Sequence, residues 1–574
     1  MLRWKFQVFF ILLFLLLGSV PWLPRASAQV QPAAPETRTG TTANHTLYLP
    51  LVLGAGTPAG NAPTISAFTA DPATIAPGAA TTLSWNVSGA TRLRIEPDIG
   101  EVTAPVEVRP AATTTYTLIA GNATGEARAT TSVTVSALPP GDQGALLFGN
   151  SSFRSADIAV DAQGGIHTVF SKIPPIGDGE IKFTYYAYCA TPAQCGTLAG
   201  WQITEIPNAV DFPWAQLELT PQGRPRLLLM RTVYPDNGSF TGGKQYVYAE
   251  CNSTCTQAQN WSLMEVLVSP SGGGLYDSDY SYHTFALDNQ GRPRFIYEDR
   301  ANSSGDHAGA YYVYCDANCT TPGTWFETRL DPHNDNVYIT EYALLRFTPD
   351  GRPRVFGTDG NISTRLSYLE CNSDCDNSAN WSMPAHLFDI KTGPGHRNWS
   401  AAFDQQGNPR LAFYPGAGPL FYAWCNGTCR DSTNWDGVQV PLSDAASGEH
   451  PSLALDAQGH PRIAYRDRDQ YGLGYAFCNE NCESAQGRWT TGLVEDDNQL
   501  NQEFPIKPLP HCDTSAWFGG LRNNLTLDAQ GNPRIAYDAE LMMRCKRYPD
   551  DPNSNETFVE TKWWTVRVVY FPQP

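Results

Sequence analysis

The chain has 574 residues, 39 of them basic and 57 acidic, for a formal charge of −18. That length exceeds what one compact core serves, so several domains or a large repeat array are expected. The acidic balance repels phosphate backbones and excludes nucleic acid as a natural partner.

The chain opens with "MLRWKFQVFFILLFLLLGSVPWLPRASAQ". Arg3 and Lys5 form a basic start, Val8 to Val20 an apolar stretch, and Ala26-Ser27-Ala28 a run of small residues. Residues 1–28 read as an export signal, with the mature chain starting at Gln29. An uncleaved membrane anchor is the alternative, and the apolar run is short for one. No later segment holds about 18 consecutive apolar residues, so no membrane span is expected once the signal is removed. The expected location is secreted or cell-surface, where the fourteen cysteines would form disulfides.

Residues 29–61, rich in Pro, Thr, Ala and Gly, read as a flexible spacer. Inside it, "HTLYLPLVLGAG" is a short apolar patch, either a strand that docks elsewhere or a feature of the spacer. Residues 62–136 change character: short Thr/Val/Ile-rich runs alternate with Pro, Gly, Asn and Asp. That pattern predicts a β-sandwich, with Trp85 as its core anchor and no cysteine to staple it. The stretches "TLSWNVSGATRLRIEP" and "TTTYTLIAGNATG" resemble the bacterial immunoglobulin-like modules of secreted and surface proteins. The resemblance implies a spacer or adhesive unit. Residues 137–144, "ALPPGDQG", form a Pro/Gly linker.

From residue 145 to 574 one hairpin recurs: "DIAVDAQGGIHTVF", "QLELTPQGRPRLLL", "TFALDNQGRPRFIY", "LLRFTPDGRPRVFG", "SAAFDQQGNPRLAF", "SLALDAQGHPRIAY" and "NLTLDAQGNPRIAY". Apolar and polar residues alternate on both sides of Gly164, Gly223, Gly291, Gly351, Gly407, Gly459 and Gly531. Period two means half-buried strands. The D-x-x-G turn suits a type I turn closed by a glycine of positive φ, and the Pro two residues on suits a strand start. Six units continue into a second motif of strand, cysteine loop and strand, as in "YAECNSTCTQAQNW". Four strands per unit, repeated every 52 to 72 residues, is the mark of a β-propeller. A closed ring lets each four-stranded sheet be covered by the next. The chain therefore reads as all-β: an immunoglobulin-like sandwich followed by a seven-bladed propeller. A parallel β-helix is the structural alternative, disfavoured because its rungs are shorter. The region resembles secreted bacterial propellers built on "LDxxGxPRIxY" hairpins, a likeness of architecture that is nearly silent on chemistry. "GALLFG" (Gly144 to Gly149) offers a strand to lie beside "KWWTVRVVYF" (Lys562 to Phe571).

Five units carry Cys-x3-Cys: Cys251/Cys255, Cys315/Cys319, Cys371/Cys375, Cys425/Cys429 and Cys478/Cys482. The first carries Cys189/Cys195. Residues four apart on a straight strand lie about 13 Å apart, and a bridge needs Cα atoms within roughly 7 Å. Each pair must therefore close a turn, as a staple on the turn from the third strand to the fourth. Two sulfurs per loop make a poor metal site; neither metal nor cofactor is expected. Cys545 occupies the place of a first cysteine in the seventh unit. Cys512 is a candidate partner, although its insertion should leave from the opposite face of the ring. Trp201, Trp261, Trp325, Trp381, Trp435 and Trp489 recur once per unit, which points to packing between blades rather than to sugar stacking.

The hairpin turn and cysteine loop share one face and vary little. The connections on the other face vary most, and variable loops on a rigid scaffold are where binding is usually built. The residues that open each inner strand there differ from blade to blade: Arg154, Trp214, Tyr282, Glu341, Tyr342, Arg397, Glu449, His450 and Arg522. Asp299, Arg300, Asp467 and Asp538 join them from neighbouring loops. Together they would line a polar funnel able to grip a sugar or a carboxylate; a solvated rim with local ion pairs is the plainer reading. "SFRSADIAVDAQGG" faintly resembles the first-blade arginine stretch of sialidases, with Arg154 as the match, but the S-x-D-x-G-x-x-W pattern of that family is absent. Nor is there an H-E-x-x-H, a G-x-S-x-G or a phosphate-cradling G-x-x-x-x-G-K-S/T. The acidic stretch "DPHNDN" does not match the EF-hand loop. The sequence thus points to an extracellular, non-catalytic binding protein for a glycan or protein partner, of open oligomeric state. A carbohydrate-active enzyme, with Glu341 and Glu449 as acid and base, and a structural envelope component are the alternatives.

Overall fold

The computed structural model describes residues 61–573 except 72, 76–80, 111–112, 136–144, 147–151, 174–182, 211, 213, 234–242, 270–282, 300–308, 331–342, 360–361, 390–397, 416–417, 443–446, 485, 504–509 and 548–556. The expected signal, the spacer with its apolar patch and the linker lie outside the described residues.

The first strands form two sheets. Thr64–Asp71, Thr81–Ser88 and Val106–Val108 make one. The other joins Thr74–Ile75, Gly125–Val135, Thr114–Asn122, Arg92–Glu96 and Gly100–Glu101. Leu83, Ile95, Leu118 and Val133, fully buried, centre their shared core. Trp85 packs on that core from a half-buried position opposite Phe68, not at the centre as its size suggested.

Beyond them, the described residues hold seven four-stranded antiparallel sheets. We call them blades 1 to 7, with strands A (inner) to D (outer). Blade 1 runs Ser152–Val160, Ile166–Ile173, Phe183–Cys189, Gln202–Val210. Blade 2 runs Trp214–Leu219, Pro225–Val233, Gly243–Cys251, Trp261–Val268. Blade 3 runs Phe285–Leu287, Pro293–Asp299, Gly309–Cys315, Trp325–Arg329. Blade 4 runs Leu344–Phe347, Pro353–Asp359, Ile362–Glu370, Ala385–Asp389. Blade 5 runs Trp399–Phe403, Pro409–Phe413, Phe421–Cys425, Trp435–Gln439. Blade 6 runs Glu449–Leu455, Pro461–Asp467, Gly472–Cys478, Trp489–Glu495. Blade 7 takes Cys512–Leu527, Pro533–Lys546 and Thr557–Tyr570, and its strand D is Ala145–Leu146, which pairs with Arg567 and Val568. The start of the repeat region thus completes the last blade. Ile158, Phe170 and Trp201 of blade 1 share a core with Ala536, Val566 and Val568 of blade 7, and each other neighbouring pair of blades shares its own. The fold is a closed seven-bladed propeller.

The repeated letters have a local cause. In each A–B hairpin the turn glycine has φ between +73° and +85°, a region other residues rarely enter. In most blades an Asp caps the turn; Asp456 Oδ1, for example, accepts from the backbone N–H of Gln458 (2.9 Å) and His460 (2.8 Å). The Arg after the strand-opening Pro is buried in every blade from 2 to 7. In blade 6 the Arg462 guanidinium donates to Asp456 (2.7 Å), to the Cys478 carbonyl (2.8 Å) and to Asn479 Oδ1 (2.8 Å). It ties the hairpin turn to the cysteine loop. Blade 1 places His167 there, bonded to Asp161 and to the Tyr186 hydroxyl.

All six cysteine loops close as the geometry required. Cys189–Cys195, Cys251–Cys255, Cys315–Cys319, Cys371–Cys375, Cys425–Cys429 and Cys478–Cys482 are bonded, with Cα atoms 5.6 to 5.8 Å apart. The first cysteine of each pair stands at the end of strand C. The second does not reach strand D: Cys195, Cys255, Cys319, Cys375, Cys429 and Cys482 all lie in the turn before it. Each staple thus sits on the turn from strand C to strand D, as expected, because a bridge across four residues can span only a turn. The link onward to strand D is a hydrogen bond. The carbonyls of Cys195, Cys255, Cys319, Cys375 and Cys429 accept from the indole N–H of Trp201, Trp261, Trp325, Trp381 and Trp435 at 2.8 to 3.0 Å.

The tryptophans pack between blades: Trp261 against Tyr186, Trp325 against Tyr248, Trp381 against Tyr312 and Trp489 against Tyr422, at ring-centroid distances of 5.1 to 5.5 Å. Cys512 and Cys545 are bonded (S–S 2.04 Å). Cys545 does not hold the first-cysteine position. It lies near the end of a lengthened strand B, directly opposite Cys512 on strand A. Phe571 takes the first-cysteine place, its carbonyl accepting from Arg534. Both cysteines therefore sit on the same extended hairpin, and the expected obstacle to their pairing disappears.

Inner strands are also tied to each other. Asp157 accepts from Leu217 N (2.8 Å), Gln216 from Phe285 N (2.9 Å), Ser400 from Leu453 N (3.1 Å) and Ser452 from Leu525 N (2.9 Å). Each side chain reaches from one blade's strand A to the next. Glu218 and Arg346, on the inner strands of blades 2 and 4, face each other at 4.0 Å past blade 3.

Candidate functional site

The residues picked at the openings of the inner strands divide into three groups. Tyr282, Glu341, Tyr342, Arg397 and Arg300 lie outside the described residues, as do the side chains of Arg154 and Asp299. Trp214 is a packing residue, 9% exposed, in the core shared by blades 2 and 3. Glu449, His450, Arg522, Asp467 and Asp538 are buried near the rims of blades 6 and 7.

There the backbone is irregular. Register shifts interrupt strand A between Glu449 and Ser452 in blade 6 and between Leu521 and Asn524 in blade 7. His450 (φ 52°) and Arg522 (φ 46°) take the left-handed conformation that non-glycine residues avoid. Bulges of this kind re-aim side chains, and here they turn the charges toward partners within the fold. Glu449 accepts from Arg466 (2.9 Å) and lies 3.5 Å from Arg468. Arg522 donates to Asp538 (2.7 Å) and Glu540 (3.1 Å). Asp467 caps the next turn through Gln470 N (2.9 Å). Among the described rim residues, Glu449, Arg522 and Asp538 are thus held in ion pairs within the fold. His283 opens blade 3 in the same left-handed conformation (φ 65°) and escaped sequence reasoning, since only backbone geometry marks it.

A cleft of about 530 Å³ lies on the other face, at the junction of blades 5 and 6. Its size falls in the ~300–1,000 Å³ range of ligand pockets. Blade 5 supplies Asp404, Gln405 and Gln406 from its A–B turn, Arg410 from strand B and Tyr422 from strand C. Blade 6 supplies Gln458 and His460 from its turn and Asn481, Glu483 and Ser484 from its cysteine loop. Gln405 bridges the two turns by donating to the Ala457 carbonyl (2.6 Å).

The residue before the first cysteine varies from blade to blade: Tyr188, Glu250, Tyr314, Glu370, Trp424 and Phe477. In blades 2 and 4 a glutamate, Glu250 or Glu370, precedes the first cysteine and accepts from the hydroxyl of Tyr248 or Tyr368. Blade 5 has Trp424 at that position. Glu483 reaches across from the blade 6 loop instead and pairs with Arg410 (2.6 Å) and Asn426 (3.1 Å). The Tyr422 hydroxyl is fully buried beside the Arg410 guanidinium, which can only donate, and its O–H finds no acceptor. Burial pushes the Tyr422 phenol up, with Arg410 opposing. One further residue separates Cys482 from Trp489, so the Trp489 indole N–H also loses the cysteine carbonyl that its five counterparts find. Buried polar groups usually find partners, and this junction leaves several wanting, the Nε atoms of Arg410 and Arg462 among them. Sequence reasoning passed over the site because it lies inside the repeated motif. The stretched Cys482–Trp489 spacing was its visible signal.

No family model matches the chain, and no curated protein matches its sequence. Solved structures resemble it in overall trace. The BP39L lectin of Burkholderia pseudomallei is 13% identical, over 69% of this chain and 96% of its own, with a TM-score of 0.40. The α-L-arabinofuranosidase Arb93A of Fusarium graminearum, solved with an iminosugar inhibitor, is 11% identical over 62% and 97%, TM-score 0.36. The α-L-arabinanase of Penicillium chrysogenum, solved with arabinobiose, is 11% identical over 75% and 98%, TM-score 0.34. Such likenesses assign this chain no ligand and no reaction.

Proposed function

We propose that this protein is an exported, non-catalytic binding protein that recognises a glycan through the cleft between blades 5 and 6, with the N-terminal immunoglobulin-like module and spacer presenting the propeller. The observation that carries the reading is the cleft itself. It is concave, walled by amide, carboxylate and hydroxyl side chains, and holds a buried hydroxyl whose O–H lacks an acceptor. Side chains of these types donate and accept in the pattern that sugar hydroxyls require. Seven disulfides support export, since such bridges persist in oxidising compartments. Among the described residues no helix is long and apolar enough to cross a membrane. Glycoside hydrolysis would use two carboxylates flanking an open space about 5–10 Å wide. Glu449, Asp538 and Glu540 are instead each held by an arginine.

The test is a glycan-binding screen on the full-length oxidised chain and its Tyr422→Phe variant. Losing a hydroxyl whose O–H has no internal acceptor leaves the urea midpoint unchanged or slightly raised. Affinity for any glycan hit is expected to fall by about threefold or more, as one lost hydrogen bond implies. A hit whose affinity ignores Tyr422→Phe, or that is hydrolysed on incubation, would contradict the reading.

A further inference from the structure

The charges around the cleft narrow its ligand, an inference that rests on the glycan reading above. We propose that the cleft selects an uncharged sugar, held through its hydroxyl groups, and rejects sugars bearing carboxylate, sulfate or phosphate. The terminal nitrogens of the buried cation at the site are already committed, and only its buried Nε has no partner. Arg410 donates to the carbonyls of Pro409 (3.1 Å) and Cys425 (3.4 Å), to Asp404 (3.0 Å) and to Asn426 (2.9 Å), and pairs with Glu483 (2.6 Å). Behind His460, Asp456 lies 3.2 Å away and is itself held by Arg462. An anion entering the cleft therefore meets the carboxylates of Asp404 and Glu483 and gains no uncommitted arginine. The chain's charge of −18 acts in the same direction at longer range. A neutral sugar meets the opposite situation. Carboxylate oxygens accept from its hydroxyls, the amides of Gln405, Gln458 and Asn481 both donate and accept, and the Tyr422 hydroxyl awaits an acceptor. The rings lining the cleft are those of buried Tyr422 and of His460, so recognition falls to hydrogen bonds rather than to stacking.

The full-length oxidised chain would be titrated with oligosaccharides that share a backbone and differ in one group: a neutral form, its uronate and its sulfate. The neutral form is expected to bind with an affinity insensitive to added salt. The charged forms should bind more weakly by about tenfold, the scale of one like-charge contact near a protein surface. Glu483→Gln should narrow that gap by about threefold or more, and Gln458→Glu, on an exposed turn, should widen it. The second variant adds a charge without disturbing a buried pair, so the test survives if Glu483→Gln fails to fold. Equal or tighter binding of the charged forms, or a gap that neither variant moves, overturns neutral selection and leaves the glycan reading standing. Binding to no member of the set overturns the glycan reading and this inference with it.

Discussion

Arg462 shows how one side chain can account for a repeated word in a sequence. The Pro after the turn reads as a strand start, and the sequence pattern assigns the Arg beside it no role. The structure buries that arginine and gives it three partners on two loops. Breaking a buried pair from one side leaves the other side uncompensated, at about 3–5 kcal/mol. Arg462→Ala is therefore expected to lower stability by that amount, read as a shift in the urea midpoint of the oxidised protein. A shift under about 1 kcal/mol would mean that water replaces the guanidinium. The same chemistry acts on the described residues of the rim. Glu449 and Arg522 have complementary charges within reach on the adjacent strand, and the bulges direct them there.

The disulfides allow a quantitative contrast at the level of the element. A Cys-x3-Cys bridge closes a very short loop and Cys512–Cys545 closes one of 33 residues. Loop-closure entropy gives about 2 kcal/mol for the former and about 4 kcal/mol for the latter. Replacing Cys512 and Cys545 together by Ser should cost about twice as much as replacing Cys251 and Cys255. Matched urea titrations would check this, and equal losses would place the effect in the native state. A second contrast concerns the helix Asp497–Glu503, which joins blades 6 and 7. Arg567, fully buried, lies 2.8 Å from Glu503 of that helix and binds Glu495 at the end of blade 6, which also accepts from Tyr537. Burial pushes Glu495 up from 4.5 to about 7, against the pull of Arg567. The folded value lies above the unfolded one, so the native state holds a proton that the unfolded chain releases. This group's contribution is fully present below about 4.5 and is lost as pH rises through about 7. Glu495→Gln should flatten the fall of the urea midpoint across that window, whatever its effect on absolute stability. A slope identical to that of the parent chain would assign the titration elsewhere.

For the whole molecule the decisive contact is the shortest. Two residues, Ala145 and Leu146, add the outer strand of blade 7 and join the start of the propeller to its last strand. Repeats that contact only their neighbours unfold piecemeal unless their ends are coupled. The ring couples them through the core shared by blades 1 and 7. A chain beginning at Ser152 lacks the closing strand and leaves that sheet edge bare. It is expected to unfold over a broader urea range with a lower m-value, by fluorescence and circular dichroism in parallel. An unchanged, single sharp transition would show that the shared cores suffice without the strand.

The sequence by itself determined the local grammar of this protein. Strand periodicity, the positive-φ turn glycines, the Cys-x3-Cys closures and the once-per-unit tryptophans each depend on contacts within about fifteen residues or on a repeat that averages over seven copies. The count of blades and the all-β class follow from them. Tertiary structure decided whatever depends on pairs far apart in the chain. It placed Cys545 on a second strand rather than a third, because strands 512–527 and 533–546 lengthen together. It spent Glu449, Arg522 and Asp538 on each other's neighbours, and it set Trp85 at the edge of its core. The cleft was the least legible feature. It lies where Glu483 of blade 6 reaches Arg410 of blade 5. The repeat shows the site only as one small departure from its pattern, the longer Cys482–Trp489 spacing. Its meaning depends on which blades the closed ring sets side by side.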